Sequence, residues 1–388
     1  MRKVTFITAF PEFLECFLAH SVIGRAVSAN LLEARVVNLR DFAVNRYGQV
    51  DDYAFGSGGM VLMAEPLARA VESLADEGAT VIYPSPQGVV LGQELVESLA
   101  AVEHIVLVCG HYEGVDERFV SKHVDIEVSL GDFVLTGGEL PSMVLVDAVA
   151  RLLPGVVGRQ AAVEDDSFFR GMLDHPHFTR PAEWRGQPVP RALLSGDAAA
   201  IREWRRDEAV ARTIGRRPDL LSCANIRPYL SRRPYVLVSG EVGGLPGALS
   251  QLDGLARLYG LERIILVETD ENRRQELSAS VPEASRDERP VFKFFKMTRQ
   301  ALHWVSQRED GKPFLVGLET QASEKSLHWM EGKRRILESK RPLVLGFSEE
   351  MPECEMSLAP LRGGLANEKR IDSVVMLSVF VDRFFGCR

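Results

Sequence analysis

Short apolar runs alternate with segments of helical periodicity along the first 150 positions of the chain. Two of these runs, residues 105–109 and 126–130, each stop at a glycine, and a charged segment separates them. The alternation predicts strands joined by helices, and hence an α/β domain with a parallel sheet. Because ligands bind at the carboxyl ends of strands in open α/β sheets, we expect a binding site where these two strands end.

Four glycines follow these two strands: Gly110, Gly131, Gly137 and Gly138. Glycine has no Cβ, so the backbone at these positions can turn sharply and lie against a flat ligand. The alternative is that each glycine only ends a strand or caps a helix. Their arrangement around one predicted sheet edge favours the binding loop.

The rest of the first 150 residues continues the same rhythm, with two exceptions. Residues 40–59 are polar, aromatic and rich in glycine, which predicts a long and functional loop. The strand at residues 80–83 is followed by the sequence PSPQG, which predicts a turn.

The periodicity weakens after residue 155, and a second α/β pattern begins at residue 234. We therefore predict three domains: residues 1–158, a linker and small helical domain at 159–233, and a second α/β domain at 234–388. Both α/β parts place a Gly-Gly turn before an amphipathic helix that contains an aspartate, which indicates a weak internal duplication.

Charge is distributed unevenly in this chain, whose net charge is −8. Residues 1–150 hold 9 Lys and Arg against 21 Asp and Glu, whereas residues 200–235 hold nine arginines against four acids. Guanidinium groups match phosphate oxygens, so Arg202, Arg205 and Arg206 are candidate RNA contacts. A solvated helix face with internal ion pairs explains the same charges equally well.

Cysteine usage and hydropathy indicate a cytoplasmic protein with no membrane partner. The five cysteines are scattered, odd in number and never in a C-x-x-C pair, which suits a reducing compartment and argues against structural zinc. No apolar run approaches the roughly 18 residues that span a bilayer, and the N-terminus reads as a strand, not a signal peptide.

The sequence lacks the motifs of several common catalytic sites. The sequence has no P-loop, no H-E-x-x-H and no G-x-S-x-G, so phosphoryl transfer, zinc proteolysis and α/β-hydrolase chemistry lose their usual support. His175 and His177 resemble a metal motif, but no third type of ligand is apparent in the sequence nearby. We expect a turn or a substrate contact there, and no metal.

A run of acids, Glu164, Asp165 and Asp166, follows the glycine-rich domain, and Arg151 lies on the last helix of that domain. A carboxylate can act as a general base, and an arginine can stabilise an oxyanion. Taken alone, three adjacent acids are more often a solvated segment or a helix start.

Ordered motifs connect these features: VDDYAFGSGGMVLM, VIYPSPQG, LVCGHYEGVDER, SLGDFVLTGGELP and DSFFRGMLDHPHFTRP. Through them residues 1–228 closely resemble the bacterial tRNA (guanine-N1)-methyltransferases, the TrmD family of the SPOUT class. The resemblance implies that the first domain is tied into a deep trefoil knot, a rare exception to the rule against threading. It also implies that the PSPQG, GHYEG and LGDFVLTGG loops hold S-adenosylmethionine.

The resemblance assigns the cofactor site by motif to residues of these three loops: Tyr83, Pro84, Ser85, Gly110, Tyr112, Glu113, Leu130, Gly131, Asp132, Phe133, Val134, Leu135, Gly137, Gly138 and Pro141. Asp166 would remove the N1 proton of guanine, and Arg151 would hold the negative charge that develops on O6. The implied reaction is methylation of the guanosine at position 37 of tRNA, immediately 3′ of the anticodon. The implied assembly is a homodimer whose active sites are shared between subunits.

Residues 234–388 are similar to a second SPOUT-like RNA methyltransferase domain, through LVLGF, LAPLRGG and NEKRIDSVVMLSVFVDRF. The segment that would form its cofactor loop, FSEEMPECEM, is acidic and has no glycine, so we expect weak cofactor binding or none. This domain has either a second RNA methyltransferase activity or a non-catalytic role in RNA binding or dimerisation. For the whole chain, the rival functions are a non-catalytic RNA-binding scaffold and a ribose 2′-O-methyltransferase.

Overall fold

A computed structural model describes residues 2–56, 58–74, 78–157, 166–169, 171–282, 290–319, 326–347, 354–358 and 373–386. The chain divides into two compact units, Met1–Asp165 and Asp166–Arg388. Among the helices in these ranges, none combines the length and the hydropathy needed to cross a membrane.

The first unit alternates strands and helices, as the sequence predicts. Its elements are β1 (Lys3–Thr8), α1 (Pro11–Ala19), α2 (Ser21–Ser28), β2 (Glu33–Asn38), a 3-10 helix (Leu39–Phe42), β3 (Asp51–Tyr53), β4 (Met60–Leu62), α3 (Ala64–Leu74), β5 (Thr80–Val90), α4 (Gln93–Ala100), β6 (His104–Val108), α5 (Glu117–His123), β7 (Ile126–Ser129) and α6 (Glu139–Ala150).

The main sheet of this unit has the strand order β2-β1-β6-β5-β7, and all its strand pairs are parallel. Alternate residues of each central strand enter two different cores. In β6, Ile105 and Leu107 pack into one core, and Val106 and Val108 into the other. Because helices cover both faces, a central strand is buried on both sides, which explains the continuous apolar run in the sequence.

Strand β5 differs from its predicted form. It does not end at Tyr83 but continues through PSPQG to Val90, and its pairing with β7 shifts between Pro84 and Val89. A bulge of this kind accommodates prolines, which cannot donate to a ladder. A Cβ at Gly88 would lie 2.3 Å from the backbone carbon of Glu127, so only glycine fits where the chain returns to the sheet.

The predicted loop at residues 40–59 is also more regular than expected. It begins within the 3-10 helix and contains β3, which pairs antiparallel with β4 in the register Asp51 with Leu62 and Tyr53 with Met60. The segment is therefore partly a small β-hairpin.

The second unit begins with short elements and continues as an α/β structure. Its elements are β8 (Glu183–Trp184), β9 (Gln187–Pro188), α7 (Arg191–Leu194), α8 (Ala198–Arg216), two 3-10 helices (Pro218–Ser222 and Arg227–Tyr229), β10 (Tyr235–Ser239), α9 (Gly240–Gly243), α10 (Ala248–Tyr259), β11 (Arg263–Val267), α11 (Glu271–Ala279), β12 (Phe292–Phe295), α12 (Thr298–Arg308), β13 (Phe314–Leu318), β14 (Ser326–Leu327), α13 (Trp329–Ser339), β15 (Leu343–Phe347), β16 (Met356–Leu358) and α14 (Ser373–Phe385).

The sheet of the second unit is also parallel and has the order β12-β11-β10-β15-β13-β16-β14. Its five strands β11-β10-β15-β13-β16 repeat the order of the first sheet. In both sheets the first strand in sequence lies between the second strand and the next-to-last of the five. Strands β12 and β14 are additions at the two edges of this repeated arrangement.

Residues on both sides of the predicted boundary at residue 233 contribute to one core in this unit. Leu221 and Ile226 belong to the same buried cluster as Leu252 and Phe380. Lys333 of α13 is 1% exposed, and its Nζ donates a hydrogen bond of 2.7 Å to the carbonyl oxygen of Ala224. The three-domain division stays a prediction, but residues 221–226 fold against the C-terminal sheet.

Replacing Lys333 by Met should destabilise the second unit, because the buried carbonyl of Ala224 would lose its donor. The expected loss in the free energy of unfolding is about 1–3 kcal/mol. Denaturant unfolding of the full chain would measure it, with the exposed Lys312→Met as the control. An unfolding midpoint equal to that of the control would show that the bond is not needed.

Candidate functional site

A cleft lies at the carboxyl ends of β6 and β7, where the sequence predicts a binding site, and beside residues 83–86 in the middle of β5. It is lined by Tyr83, Pro84, Ser85, Pro86, Gly110, His111, Tyr112, Glu113, Gly114, Val128, Ser129, Leu130, Phe133, Val134, Leu135, Thr136, Gly137, Gly138 and Pro141. Of the residues assigned by motif, Gly131 and Asp132 are not in the lining but follow β7 directly. The cleft is thus formed by the three segments that the sequence singles out.

Two of these segments approach each other backbone to backbone. The N–H of Gly138 donates a hydrogen bond of 2.8 Å to the carbonyl oxygen of Gly110. A Cβ on Gly138 would lie 2.5 Å from the nitrogen of Gly110 and 2.7 Å from the Cα of Cys109. The φ of Gly138 is −84°, so glycine is required here by proximity and not by a left-handed turn.

Apolar side chains are exposed along the segment after β7. Phe133 is 55% exposed, Val134 is 81% exposed, and Leu135 is also accessible to solvent. Such a group of accessible apolar residues beside backbone polar groups is typical of a small-molecule site.

Tyr112 marks the turn after β6. Its φ of +59° lies in the left-handed region, which is uncommon for a residue with a side chain. Its side chain hydrogen-bonds with Asp51 of β3, which raises the pKa of Tyr112. The backbone N–H of the next residue, Glu113, donates to the carbonyl oxygen of Met60 at 3.0 Å. The hairpin of β3 and β4 therefore braces this turn.

His111 and Glu139 form a buried pair that the motif assignment does not include. The Nε2 atom of His111 lies 2.8 Å from both carboxylate oxygens of Glu139, whose side chain is 5% exposed. Thr8 donates a hydrogen bond of 2.5 Å to the same carboxylate. The pair joins β1, the turn after β6 and the start of α6. His111 lies in the motif GHYEG and Glu139 in the motif TGGELP, so the sequence motifs do point to both residues.

Cys109, directly before Gly110, is fully buried and lies 3.4 Å from the hydroxyl of Ser142. Burial raises the pKa of the Cys109 thiol. A thiol that stays protonated is a poor nucleophile, so Cys109 acts as a packing residue.

The two predicted catalytic residues belong to different units. Arg151 caps α6 in the first unit and is exposed, and Asp166 is half-buried at the start of the second unit. Glu164 and Asp165 lie outside the described residues. The roles of Arg151 and Asp166 stay predictions.

The candidate RNA contacts lie on α8, which Asp197 caps through its carboxylate. Arg202 and Arg205 are exposed. Arg206 is instead paired with Asp207 at 3.2 Å and with Glu203 at 3.4 Å. At Arg206 the structure favours the alternative of an ion-paired helix face.

His175 and His177 lie beside a carboxylate that the sequence analysis did not consider. The potential ligand atoms of Asp174, His175 and His177 lie within 4.8 Å of one another. Their polar atoms already have local hydrogen-bond partners, since Nε2 of His177 is 2.7 Å from Oδ2 of Asp174 and Nδ1 of His175 is 3.1 Å from the carbonyl oxygen of Pro176. An internally bonded turn accounts for this geometry.

Comparison with known proteins gives one family and many relatives. Residues 2–223 match the model of the family described as tRNA (Guanine-1)-methyltransferase TrmD. The chain is 51% identical to the tRNA (guanine-N(1)-)-methyltransferase of Moorella thermoacetica over 231 residues, which are 58% of this chain and 92% of that protein. It is 48% identical to the enzyme of the same name from Bacillus subtilis over 223 residues, which are 56% of this chain and 92% of that protein.

Replacing Gly138 by Ala should destabilise the first unit, because the new methyl group would meet the backbone of Cys109 and Gly110. The expected loss is about 1–3 kcal/mol, as for other overpacked sites. The control is Gly58→Ala in an exposed loop, where a Cβ meets no atom within 4 Å and the change should stay below about 0.5 kcal/mol. Thermal unfolding would compare the two, and equal midpoints would contradict the proximity argument.

Proposed function

Because this chain belongs to the tRNA (guanine-1)-methyltransferase TrmD family, we propose that it methylates N1 of the guanosine at position 37 of tRNA with S-adenosylmethionine. The observation that carries the proposal is the cleft in which the turns after β6 and β7 approach at Gly110 and Gly138. Family membership supports guanine as the methylated base and tRNA as the substrate. The position 3′ of the anticodon comes from the resemblance of the motifs.

The residues of the cleft fit S-adenosylmethionine. Gly110, Gly137 and Gly138 have no side chains and line the cleft with main-chain atoms. Phe133, Val134 and Leu135 offer apolar surface for an adenine ring. When bound, the cofactor supplies an electrophilic methyl group on its sulfonium. The protein's part is to hold this group and to prepare the guanine.

Guanine N1 carries a proton and is a poor nucleophile, so the reaction needs a base. We assign this role to Asp166 and assign Arg151 to the negative charge that develops on O6. The target base must also leave its stack to reach the cleft. A ribose 2′-O-methyltransferase would need no carboxylate of this kind, and analysis of the methylated nucleoside distinguishes the two activities.

The knot and the second SPOUT-like domain belong to the same proposal. The three segments that form the cleft are those that carry the knot in the family. For the second unit, support comes from the strand order β11-β10-β15-β13-β16, which repeats the order of the first sheet. The segment after β15 that would form its cofactor loop lies mostly outside the described residues.

A homodimer is supported by an apolar face beside the cleft. Phe10, Phe13 and Leu140 are exposed large hydrophobic residues that line a common groove with His111, and Val144 is exposed one turn further along α6. Exposed apolar patches of this kind mark protein interfaces. We propose that a second copy covers this face and that Asp166 acts in the cleft of the other subunit.

Replacing Asp166 by Ala should abolish methyl transfer, because no other group is assigned to remove the N1 proton. Cofactor affinity should stay near that of the wild type, since Asp166 is not part of the cleft lining. Single-turnover methylation and calorimetric titration of the cofactor would measure the two effects. Asp165→Ala serves as the neighbouring control and should lose much less. Near-normal turnover by Asp166→Ala would remove this residue from its role.

Mixing two inactive chains tests the shared site. The Asp166→Ala chain keeps its cofactor loops, and a Gly138→Ala chain keeps its Asp166. In a mixed dimer, one of the two sites would combine the intact parts of both chains and regain activity. Differently tagged chains, purified through both tags, would be assayed for tRNA methylation. If mixed dimers form and stay inactive, the two subunits do not share a site.

A further inference from the structure

One stretch of the second unit has an unusual charge pattern that the proposed reaction does not explain. Residues 290–308, which contain β12 and α12, hold Lys293, Lys296, Arg299 and Arg308 but no aspartate or glutamate. The whole chain has a net charge of −8, and its acids outnumber its cations. A basic stretch without acids in such a chain is a candidate surface for a polyanion.

Another basic helix of this unit, α13, balances its charges internally. On α13, Arg334 pairs with Glu338 at 3.1 Å and Arg335 pairs with Glu331 at 3.0 Å. In contrast, within the described part of the chain, Lys293, Lys296 and Arg299 form no ion pair with an acid. Arg308, at the end of α12, does have acid partners, Glu262 at 2.9 Å and Glu309 at 3.9 Å.

The cations share one accessible surface. Lys293, Lys296 and Arg299 are exposed on β12 and at the start of α12, and the exposed positions of α12 continue through His303 and Gln307. Residues spaced by three and four lie on one face of a helix. Strand β12 is the edge of the sheet and, in the described structure, pairs only with β11. The surface therefore continues from the sheet edge onto the helix.

An aromatic ring lies within this surface. The Nζ atom of Lys293 is 5.9 Å from the ring centre of the half-buried Trp304, and the guanidinium carbon of Arg308 is 5.5 Å from it. Basic side chains around an aromatic ring are typical of surfaces that follow a nucleic-acid backbone. Lysines on an edge strand also prevent pairing with other chains, but that role does not require the exposed Arg299 on the helix.

We propose that Lys293, Lys296 and Arg299 form a second tRNA-docking surface, which contacts phosphates of the same tRNA that is methylated. This inference rests on the proposed function for the identity of the RNA. The surface makes no base contacts of its own, so it raises affinity without choosing the methylated base.

The test compares two variants of the full chain that lose the same charge. Lys296→Gln with Arg299→Gln removes two cations of the proposed surface. Arg334→Gln with Arg335→Gln removes two exposed cations of α13 that are paired with acids. Each is titrated with an in vitro transcript of a tRNA carrying guanosine at position 37, at salt concentrations from about 50 to 200 mM.

The logarithm of the association constant falls as the logarithm of the salt concentration rises, and each lost phosphate contact should make this slope less negative by roughly 0.7–0.9. For the first variant the slope should therefore be less negative by about 1.4–1.8, and binding at low salt should be weaker. The control should keep the wild-type slope. The methylation rate of the first variant at saturating tRNA should equal that of the wild type, and its KM for tRNA should be raised. An unchanged slope, or an equal drop in both variants, would overturn the docking surface. Failure of the wild type to methylate would instead refute the proposed function, because the titration does not depend on turnover.

Discussion

The close approach of two backbones at Gly110 and Gly138 is the constraint on which the cleft depends. The hydrogen bond from Gly138 to Gly110 fixes the turn after β6 against the start of α6 at a separation that no side chain allows. The first turn follows β6 and the second segment follows β7, so both are anchored to one sheet, in which β5 lies between these two strands. A site of this kind is formed before its ligand arrives, which lowers the ordering cost of binding.

The pair of His111 and Glu139 supports the same junction from the other side. Its carboxylate receives a hydrogen bond from Thr8 at the end of β1 and contacts His111 in the turn after β6. A buried carboxylate is costly unless each oxygen has a partner, and here both oxygens lie within hydrogen-bond distance of a donor. Thr8, His111 and Glu139 therefore tie three elements at the point where Gly110 and Gly138 meet. Loss of His111 would remove the hydrogen-bond partner of the second carboxylate oxygen, Oε2.

The sequence predicted much of this arrangement because hydrophobic periodicity and glycine position are local signals. The strands at 105–109 and 126–130 were predicted for that reason. The continuation of β5 beyond Tyr83 was not, since PSPQG has turn chemistry and only pairing with β7 makes it a strand. The bond from Lys333 to Ala224 joins residues that are 109 positions apart, and such pairings leave no periodic signal in the sequence.

The two parallel sheets show how one strand order can serve different purposes. Both place the first strand between the second and the next-to-last of five, so both fold around a similarly buried centre. They differ at their edges and in charge. The first unit concentrates glycines at the carboxyl ends of its strands, in an acidic stretch of chain. The first sheet ends at β2. The second sheet has one more strand beyond the equivalent position, β12, which carries the basic surface. Because a sheet centre tolerates little change while an edge strand tolerates much, divergence of function is expected at the edge.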